Sequence, residues 1–144
     1  MLKEIYLLKQ KLKKQNYRGL ALDIDETLSD TLLSWNKKLL KKFGNPEGLS
    51  ARAVIDKYRY SYQVPYAEWR TADAYKYMQQ LREDNDLQKN LGILRQADEY
   101  IAQIARKVPI VAYSTLRPES VVPGTEHWLE KHKFPKVPVI AMPS

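Results

Sequence analysis

The sequence lacks cysteine altogether over its length of 144 residues. This absence excludes a disulfide framework, a thiolate metal site and a thiol nucleophile. Long apolar runs are absent as well. Lysines interrupt the opening segment MLKEIYLLKQKLKKQ every few positions, unlike the core of a signal peptide, and no other stretch approaches a membrane-spanning length. We therefore expect a soluble, cytoplasmic protein with no membrane partner.

Negative charge is scarce near the N-terminus, where positive charge is concentrated. Residues 1–18 hold six lysines or arginines and one glutamate, so they carry five of the seven net positive charges of the chain. Apolar residues recur in this segment at helical spacing, at Leu2, Ile5, Leu8 and Leu12. The pattern predicts an amphipathic helix docked on the domain with its basic face in water. Attraction to nucleic acid or to a membrane surface is the alternative, and we do not expect it.

Three short apolar runs predict three β-strands in one domain. They are LALDI at 20–24, VPIVAYS at 108–114 and VPVIAMPS at 137–144. Helical patterns lie between them, one of them over residues 125–132 with Thr125 as its N-terminal cap. Strands that alternate with helices in this way favour an α/β fold with a parallel sheet and crossover helices.

A purely helical block over residues 29–81 interrupts this alternation and is interpreted as an insertion. Ser50 is the expected cap of one of its helices, and Pro65 is expected in the first turn of another that runs toward Leu81. The block is rich in aromatic residues, since six of the ten tyrosines lie within residues 58–77. These rings either form a small core of the block or stack on a bound base or sugar.

The segment LALDIDETLSDT, residues 20–31, places Asp23 and Asp25 one residue apart at the end of the first predicted strand. The second predicted strand ends in Ser and Thr, at positions 114 and 115. In open parallel sheets ligands bind beyond the carboxyl ends of the strands, so these side chains are candidates for one site. Neighbouring carboxylates repel each other, and Mg²⁺ with oxygen ligands would relieve the repulsion. A simple turn cap is the alternative explanation. An EF-hand is excluded, because the required glycine and glutamate are replaced by Leu28 and Ser34.

These two segments resemble motifs of the haloacid dehalogenase (HAD) superfamily. LALDIDETLSDT is similar to its first motif, an apolar strand followed by Asp-x-Asp-x-Thr, with an ending like that of acid phosphatases and nucleotidases. VPIVAYSTLRP resembles the second motif, an apolar strand that ends in Ser or Thr, with a Thr-x-Arg-Pro continuation. The resemblance covers about residues 19–36 and 90–144.

The resemblance implies a Mg²⁺-dependent phosphatase that hydrolyses a small phosphomonoester, for instance a nucleotide or sugar phosphate, through an aspartyl-phosphate intermediate. Asp23 would be the nucleophile and Asp25 the general acid and base. The Asp23 carboxylate and the Asp25 main-chain carbonyl would bind Mg²⁺. Thr27 would position Asp25.

Three residues near the second strand end are implied phosphate ligands. Thr115 would hold the phosphoryl oxygens, with Ser114 in its place if the alignment shifts by one residue. Arg117 would either contact the phosphate or pair with an acid on the surface.

For the fold, the resemblance implies a Rossmann-like parallel-sheet core formed by residues 1–28 and 86–144, with the basic helix at 1–18. Residues 29–85 would form a helical cap inserted after the first strand. The cap would close over the site and select the substrate.

The sequence departs from the family at the third and fourth motifs, a lysine and an acidic group that complete the site. Neither can be identified in it, which predicts a truncated chain, a sheet completed by a partner, or a degenerate copy. The alternative to a phosphatase is therefore a truncated or degenerate HAD-like binding module without catalysis. Whether the chain forms a homo-oligomer is left open.

Overall fold

The computed structural model describes residues 2–142, which form seven α-helices and three β-strands. Residues 1, 143 and 144, at the ends of the predicted basic helix and third apolar run, lie outside this range. The helices and strands are α1 (Leu2–Lys14), β1 (Leu20–Asp23), α2 (Thr31–Phe43), α3 (Ala51–Tyr58), α4 (Ala72–Arg82), α5 (Asn85–Lys89), α6 (Ala97–Ala105), β2 (Ile110–Thr115), α7 (Val122–Lys131) and β3 (Val139–Ala141).

The three predicted strands form one parallel sheet in the order β1-β2-β3. This confirms the mixed α/β class and the parallel arrangement. Leu22, Tyr113 and Val139 lie opposite one another across the three strands, so their side chains share one face of the sheet. All three belong to the larger hydrophobic core, where they pack with residues of α6 and α7 such as Ile101 and Trp128.

The helical block has a second hydrophobic core of its own. Its buried members are Leu39, Val54, Val64, Tyr66 and Trp69, and its half-buried members include Phe43, Tyr58 and Tyr77. Tyr77 also packs against the larger core and so connects the two clusters. Five of the block's aromatic residues therefore belong to this core, whereas Tyr62 and Tyr75 are largely exposed.

Two helix starts differ from the sequence prediction, while the cap at Ser50 is confirmed by its hydroxyl, which accepts the Ala53 N–H at 3.1 Å. The helix expected from Pro65 begins only at Ala72, where the Thr71 hydroxyl caps it. The preceding residues form a short 3₁₀ turn that buries Trp69, whose indole N–H donates to the Gly44 carbonyl at 3.1 Å. A 3₁₀ turn that buries the Trp69 ring thus takes the place of the helical turn predicted after Pro65.

Helix α7 begins at Val122, so the prediction that Thr125 caps it was wrong. Pro123 occupies the first turn, where its fixed φ angle favours a helix. Thr125 is fully buried inside the helix, and its hydroxyl donates to the Val121 carbonyl at 2.9 Å. The Thr125 hydroxyl also accepts a hydrogen bond from Arg117, which is described below.

The basic helix predicted for residues 1–18 forms as α1, but its apolar face is only partly covered. Ile5 is buried, Leu8 and Leu12 are half-buried, and Leu2 is 75% exposed. One buried side chain thus anchors a helix whose lysines remain in water. No helix within residues 2–142 combines the length and the apolar character needed to cross a membrane.

Helices α5 and α7 approach each other closely at Gly124. The Gly124 N–H donates to Asn85 Oδ1 at 2.7 Å, and a β-carbon at Gly124 would lie 2.6 Å from the Asn85 carbonyl oxygen. We expect Gly124→Ala to lower the free energy of unfolding by about 1–3 kcal/mol through overpacking, measured by urea denaturation. Gly92→Ala is the control, because its added β-carbon has no atom of the described residues within 4 Å apart from those of Gly92 and its two chain neighbours. An equal effect of the two substitutions would contradict the close approach.

Candidate active site

A cleft of about 470 Å³ lies at the carboxyl ends of β1 and β2, the edge of the sheet where the sequence predicts a site. Its walls come from the turn after β1, the start of α2, the end of α4, helix α5 and the segment after β2. The lining residues are Asp23, Asp25, Glu26, Thr31, Leu32, Trp35, Tyr60, Arg82, Gln88, Leu116 and Arg117. Both predicted carboxylates therefore line one cavity.

The chain reverses direction directly after β1. The Ile24 carbonyl accepts the N–H groups of Thr27, Leu28 and Ser29 at 2.8–3.2 Å, and Glu26 adopts a positive φ of 58°. Ile24, Leu28 and Ser29 are fully buried. This tight, anchored turn directs Asp25 toward the segment that follows β2.

Arg117 holds the Asp25 carboxylate through a bidentate ion pair. Its Nη2 donates to Asp25 Oδ1 at 2.7 Å, and its Nε lies 3.1 Å from both carboxylate oxygens. The guanidinium is almost fully buried, and its remaining donors reach Thr125 Oγ1 at 2.9 Å and Ser29 Oγ at 3.2 Å. Arg117 thus pairs with an acid, but that acid is Asp25 in the cleft and not an acid on the surface, which was one of its two expected partners.

The two oxygens of Asp25 differ in their surroundings. Oδ1 accepts from Arg117 and also from the Thr31 hydroxyl at 2.6 Å. Oδ2 accepts only the Arg117 Nε contact among residues 2–142. Because Oδ1 already has several donors, Oδ2 is the oxygen with acceptor capacity left for a ligand.

Asp23 contrasts with Asp25 because its side chain is exposed and forms no hydrogen bond or ion pair within residues 2–142. It pairs with Ser114 in the sheet register. Since side chains alternate along a strand, Ser114 shares the Asp23 side of the sheet and Thr115 faces the opposite side. Asp23 is thus a free carboxylate at the strand end.

The predicted hydroxyl residues lie outside the cleft lining. Thr27 is exposed, Ser114 is half-buried and Thr115 is buried. The Thr115 hydroxyl accepts the Arg117 N–H at 3.1 Å. The contact with Asp25 that the resemblance implies for Thr27 is made by Thr31, four residues later in the chain.

Arg82 and Gln88 line the cleft although no motif indicates either residue. Arg82 ends α4, and its Nη2 donates to the Leu116 carbonyl at 2.8 Å. Gln88 on α5 is 2% exposed. The sequence REDND at 82–86 is typical of a polar linker, but Arg82 ends α4 and Asn85 begins α5, so only the packing of these two helices reveals that Arg82 and Gln88 face the cleft.

Mg²⁺ can be tested against the groups at this edge. No cluster of three or more metal-binding side chains occurs within residues 2–142. Mg²⁺ commonly uses one or two protein ligands and keeps several waters or substrate oxygens, so a larger cluster is not required. Asp23, a carboxylate without a protein partner in the described chain, is a donor of the correct type, and the residues fit the ion on that basis.

Glu26 is a half-buried carboxylate on the cleft wall. Its Oε1 accepts the Leu32 N–H at 2.7 Å near the start of α2. Burial, with smaller contributions from the negative charges of Asp30 and Asp25, raises its pKa above the usual value of 4.5, although the Leu32 N–H and Arg52 oppose the shift. The cleft therefore disfavours a further negative charge at this position.

Comparison with models of known protein families gives no match, and comparison with curated protein sequences gives none either. The relationship to the haloacid dehalogenase superfamily therefore remains a prediction that depends on the two motifs.

We expect Arg117→Met to lower the free energy of unfolding by about 2 kcal/mol, because Asp25 loses its cation and Thr125 loses a donor. Arg117→Lys should not restore stability, since one ammonium cannot replace the guanidinium fork. Arg106→Met, at an exposed position, is the control. Urea denaturation of the three variants measures the effect, and equal stability of the Arg117 and Arg106 variants would contradict it.

Glu26→Gln is expected to be more stable than the wild type at pH 7 and equally stable below about pH 4.5. A carboxyl with a raised pKa contributes its full stability while protonated and loses part of it as the pH rises through the folded-state pKa. Glutamine resembles the protonated form and keeps the acceptor for Leu32. Unfolding at pH 4 and pH 7 measures the difference, with exposed Glu130→Gln as the control. A stability gain that is the same at both pH values would refute the electrostatic cause.

Proposed function

We propose that the protein is a HAD-like phosphatase that hydrolyses a small phosphomonoester. One observation carries the proposal: a free carboxylate, Asp23, lies beside an arginine-held carboxylate, Asp25, in a cleft at the carboxyl ends of two parallel strands. Such a pair supplies a nucleophile and a proton-transfer group with separate environments. We include in the proposal a Rossmann-like core and a cap formed by residues 29–85.

The reaction has two displacement steps. Asp25 enters the cycle with a proton on Oδ2, taken up from solvent as the phosphomonoester binds. An Asp23 oxygen attacks phosphorus, the ester P–O bond breaks and the leaving alkoxide takes that proton, giving an aspartyl phosphate and an alcohol. Asp25 then accepts a proton from a water molecule as that water attacks the phosphoryl group. Phosphate leaves, and both carboxyl groups return to their starting states. Oδ2 is the Asp25 atom that exchanges the proton, because Oδ1 is engaged by Thr31 and Arg117.

Arg82 is the cation best suited to the phosphate oxygens. Arg117 is committed to Asp25, Ser29 and Thr125, whereas Arg82 uses one guanidinium nitrogen for the Leu116 carbonyl and lines the same cleft. A guanidinium with donors to spare suits bidentate contact with a phosphoryl group. Of the two predicted hydroxyl ligands at the end of β2, Ser114 is the one that lies opposite Asp23 in the sheet register.

Mg²⁺ belongs to the proposal as a cofactor held by the Asp23 carboxylate and the Asp25 main-chain carbonyl. When bound, it would neutralise negative charge on the phosphoryl group during transfer. The cleft volume of about 470 Å³ admits a ligand such as a nucleotide or sugar phosphate.

A non-catalytic binding module is the second candidate function. It is favoured by the Asp25–Arg117 pair itself, which satisfies the Asp25 carboxylate without metal or substrate. In that case the cleft would bind phosphate-containing ligands and release them unchanged.

Mg²⁺-dependent hydrolysis of p-nitrophenyl phosphate tests the catalytic proposal. We expect phosphate release by the wild type and a loss of at least about a hundredfold in Asp23→Asn, because the amide is a poor nucleophile. Asp56→Asn, an exposed carboxylate on α3, should retain the wild-type rate. Binding of vanadate is measured in parallel for all three proteins.

One outcome would decide against catalysis, and vanadate binding would then identify the function that replaces it. Release of phosphate at the same low rate by the wild type and by Asp23→Asn would overturn the phosphatase proposal. If both still bind vanadate, the binding module becomes the preferred function.

A further inference from the structure

Gln88 carries a buried hydrogen-bond acceptor that the protein leaves unpaired. The residue is 2% exposed and lines the cleft, and its Oε1 meets no donor within residues 2–142. Buried side-chain polar atoms in folded proteins are nearly always paired, and an unpaired one costs about 1–3 kcal/mol. A methionine would fill the same volume without this cost. Gln88 therefore lowers the stability of the fold compared with an apolar residue of the same size.

Trp35 provides a second unpaired group in the same cleft. Its indole Nε1 is buried and meets no acceptor in the described chain. Six buried side-chain atoms in residues 2–142 lack a partner, and of these only the Gln88 and Trp35 atoms belong to residues that line the cleft. One is an acceptor and the other a donor, so they match a ligand that offers both kinds of group.

The cleft lining contains a charged group of side chains and a neutral group. The charged ones are Asp23, Asp25, Glu26, Arg82 and Arg117, and the neutral ones are Thr31, Leu32, Trp35, Tyr60, Gln88 and Leu116. In the charged group, the arginine Arg82 suits contact with the phosphate oxygens, and the carboxylates of Asp23 and Asp25 suit the reaction at phosphorus. The neutral group, with its two unpaired polar atoms, suits an uncharged organic portion of the substrate.

We propose that Gln88 and Trp35 form a leaving-group subsite that recognises a neutral alcohol with both a hydrogen-bond donor and an acceptor. This inference rests on the proposed function, since the alcohol is the product of phosphomonoester hydrolysis. The Gln88 amide accepts from a hydroxyl or amino group of the ligand, and the Trp35 indole donates to a ligand oxygen or nitrogen. Rotation of the amide about its last bond exchanges its donor and acceptor, which lets Gln88 adapt to the bound group.

Sugars and nucleosides both offer this chemistry, and the experiment separates them. Binding of ribose, glucose, adenosine and cytidine to the full chain is measured by titration calorimetry, with no phosphoryl transfer required. We expect the wild type to bind at least one of the four, and Gln88→Met to weaken that binding by about tenfold or more. Trp35→Phe should weaken it as well. Gln80→Met, on the exposed side of α4, is the matched control and should bind as the wild type does.

Thermal unfolding gives an independent measurement. Gln88→Met should raise the melting temperature, because it removes a buried acceptor without a partner and keeps the side-chain shape. Gln80→Met should not change it. A variant that is more stable and binds less supports a ligand subsite, whereas a less stable variant would show that Gln88 is paired within the fold and would overturn the inference.

The remaining outcomes are also decisive. Wild-type protein that binds none of the four alcohols, or Gln88→Met that binds them as tightly as the wild type, would overturn the subsite. Hydrolysis of p-nitrophenyl phosphate is scored separately. Its absence would refute the phosphatase proposal, while the binding comparison would still decide whether Gln88 contacts a neutral alcohol.

Discussion

The ion pair between Asp25 and Arg117 joins parts of the chain that are 92 residues apart. It ties the turn after β1 to the segment after β2, and through Thr31 and Thr125 it also involves α2 and α7. A guanidinium this deeply buried is tolerated only when its donors are satisfied, and here a carboxylate and two hydroxyl groups satisfy them. This one electrostatic network therefore positions three walls of the cleft, namely the turn after β1, the start of α2 and the segment after β2.

The same pair gives the two aspartates different properties. Asp25 is fixed in position by Arg117 and Thr31, while Asp23 remains without a protein partner in the described chain. Two adjacent carboxylates with equal surroundings would repel each other, and nothing would distinguish their chemical properties. An arginine on one of them reduces the repulsion and leaves the other available to react or to bind a cation.

The helical block contributes to the cleft because it has a stable interior of its own. Its second core holds Trp69 and Tyr66 in edge-to-face contact, with ring centroids 5.3 Å apart. This packing supports α2 and α4, which present Leu32, Trp35 and Arg82 to the cleft. These helices thus supply part of the neutral lining and the cation Arg82, whereas β1 and the turn after it supply the carboxylates.

Local patterns in the sequence determined the strands, the Ser50 cap and the position of Asp23 and Asp25 at a strand end. These features depend on neighbours within a few residues, namely apolar runs, capping side chains and motif spacing. The prediction failed at Pro65, where the burial of Trp69 outweighed a helix start, and at Thr125, where Pro123 lies in a first turn that begins earlier and the Thr125 hydroxyl is used by Arg117.

Tertiary structure alone decided the partner of Asp25 and the presence of Arg82 and Gln88 in the cleft. No periodicity or spacing relates residue 25 to residue 117, or α5 to the end of β1. Those contacts exist because the two cores bring their helices against the sheet, and the energy of an ion pair or a buried amide depends on what surrounds it in space.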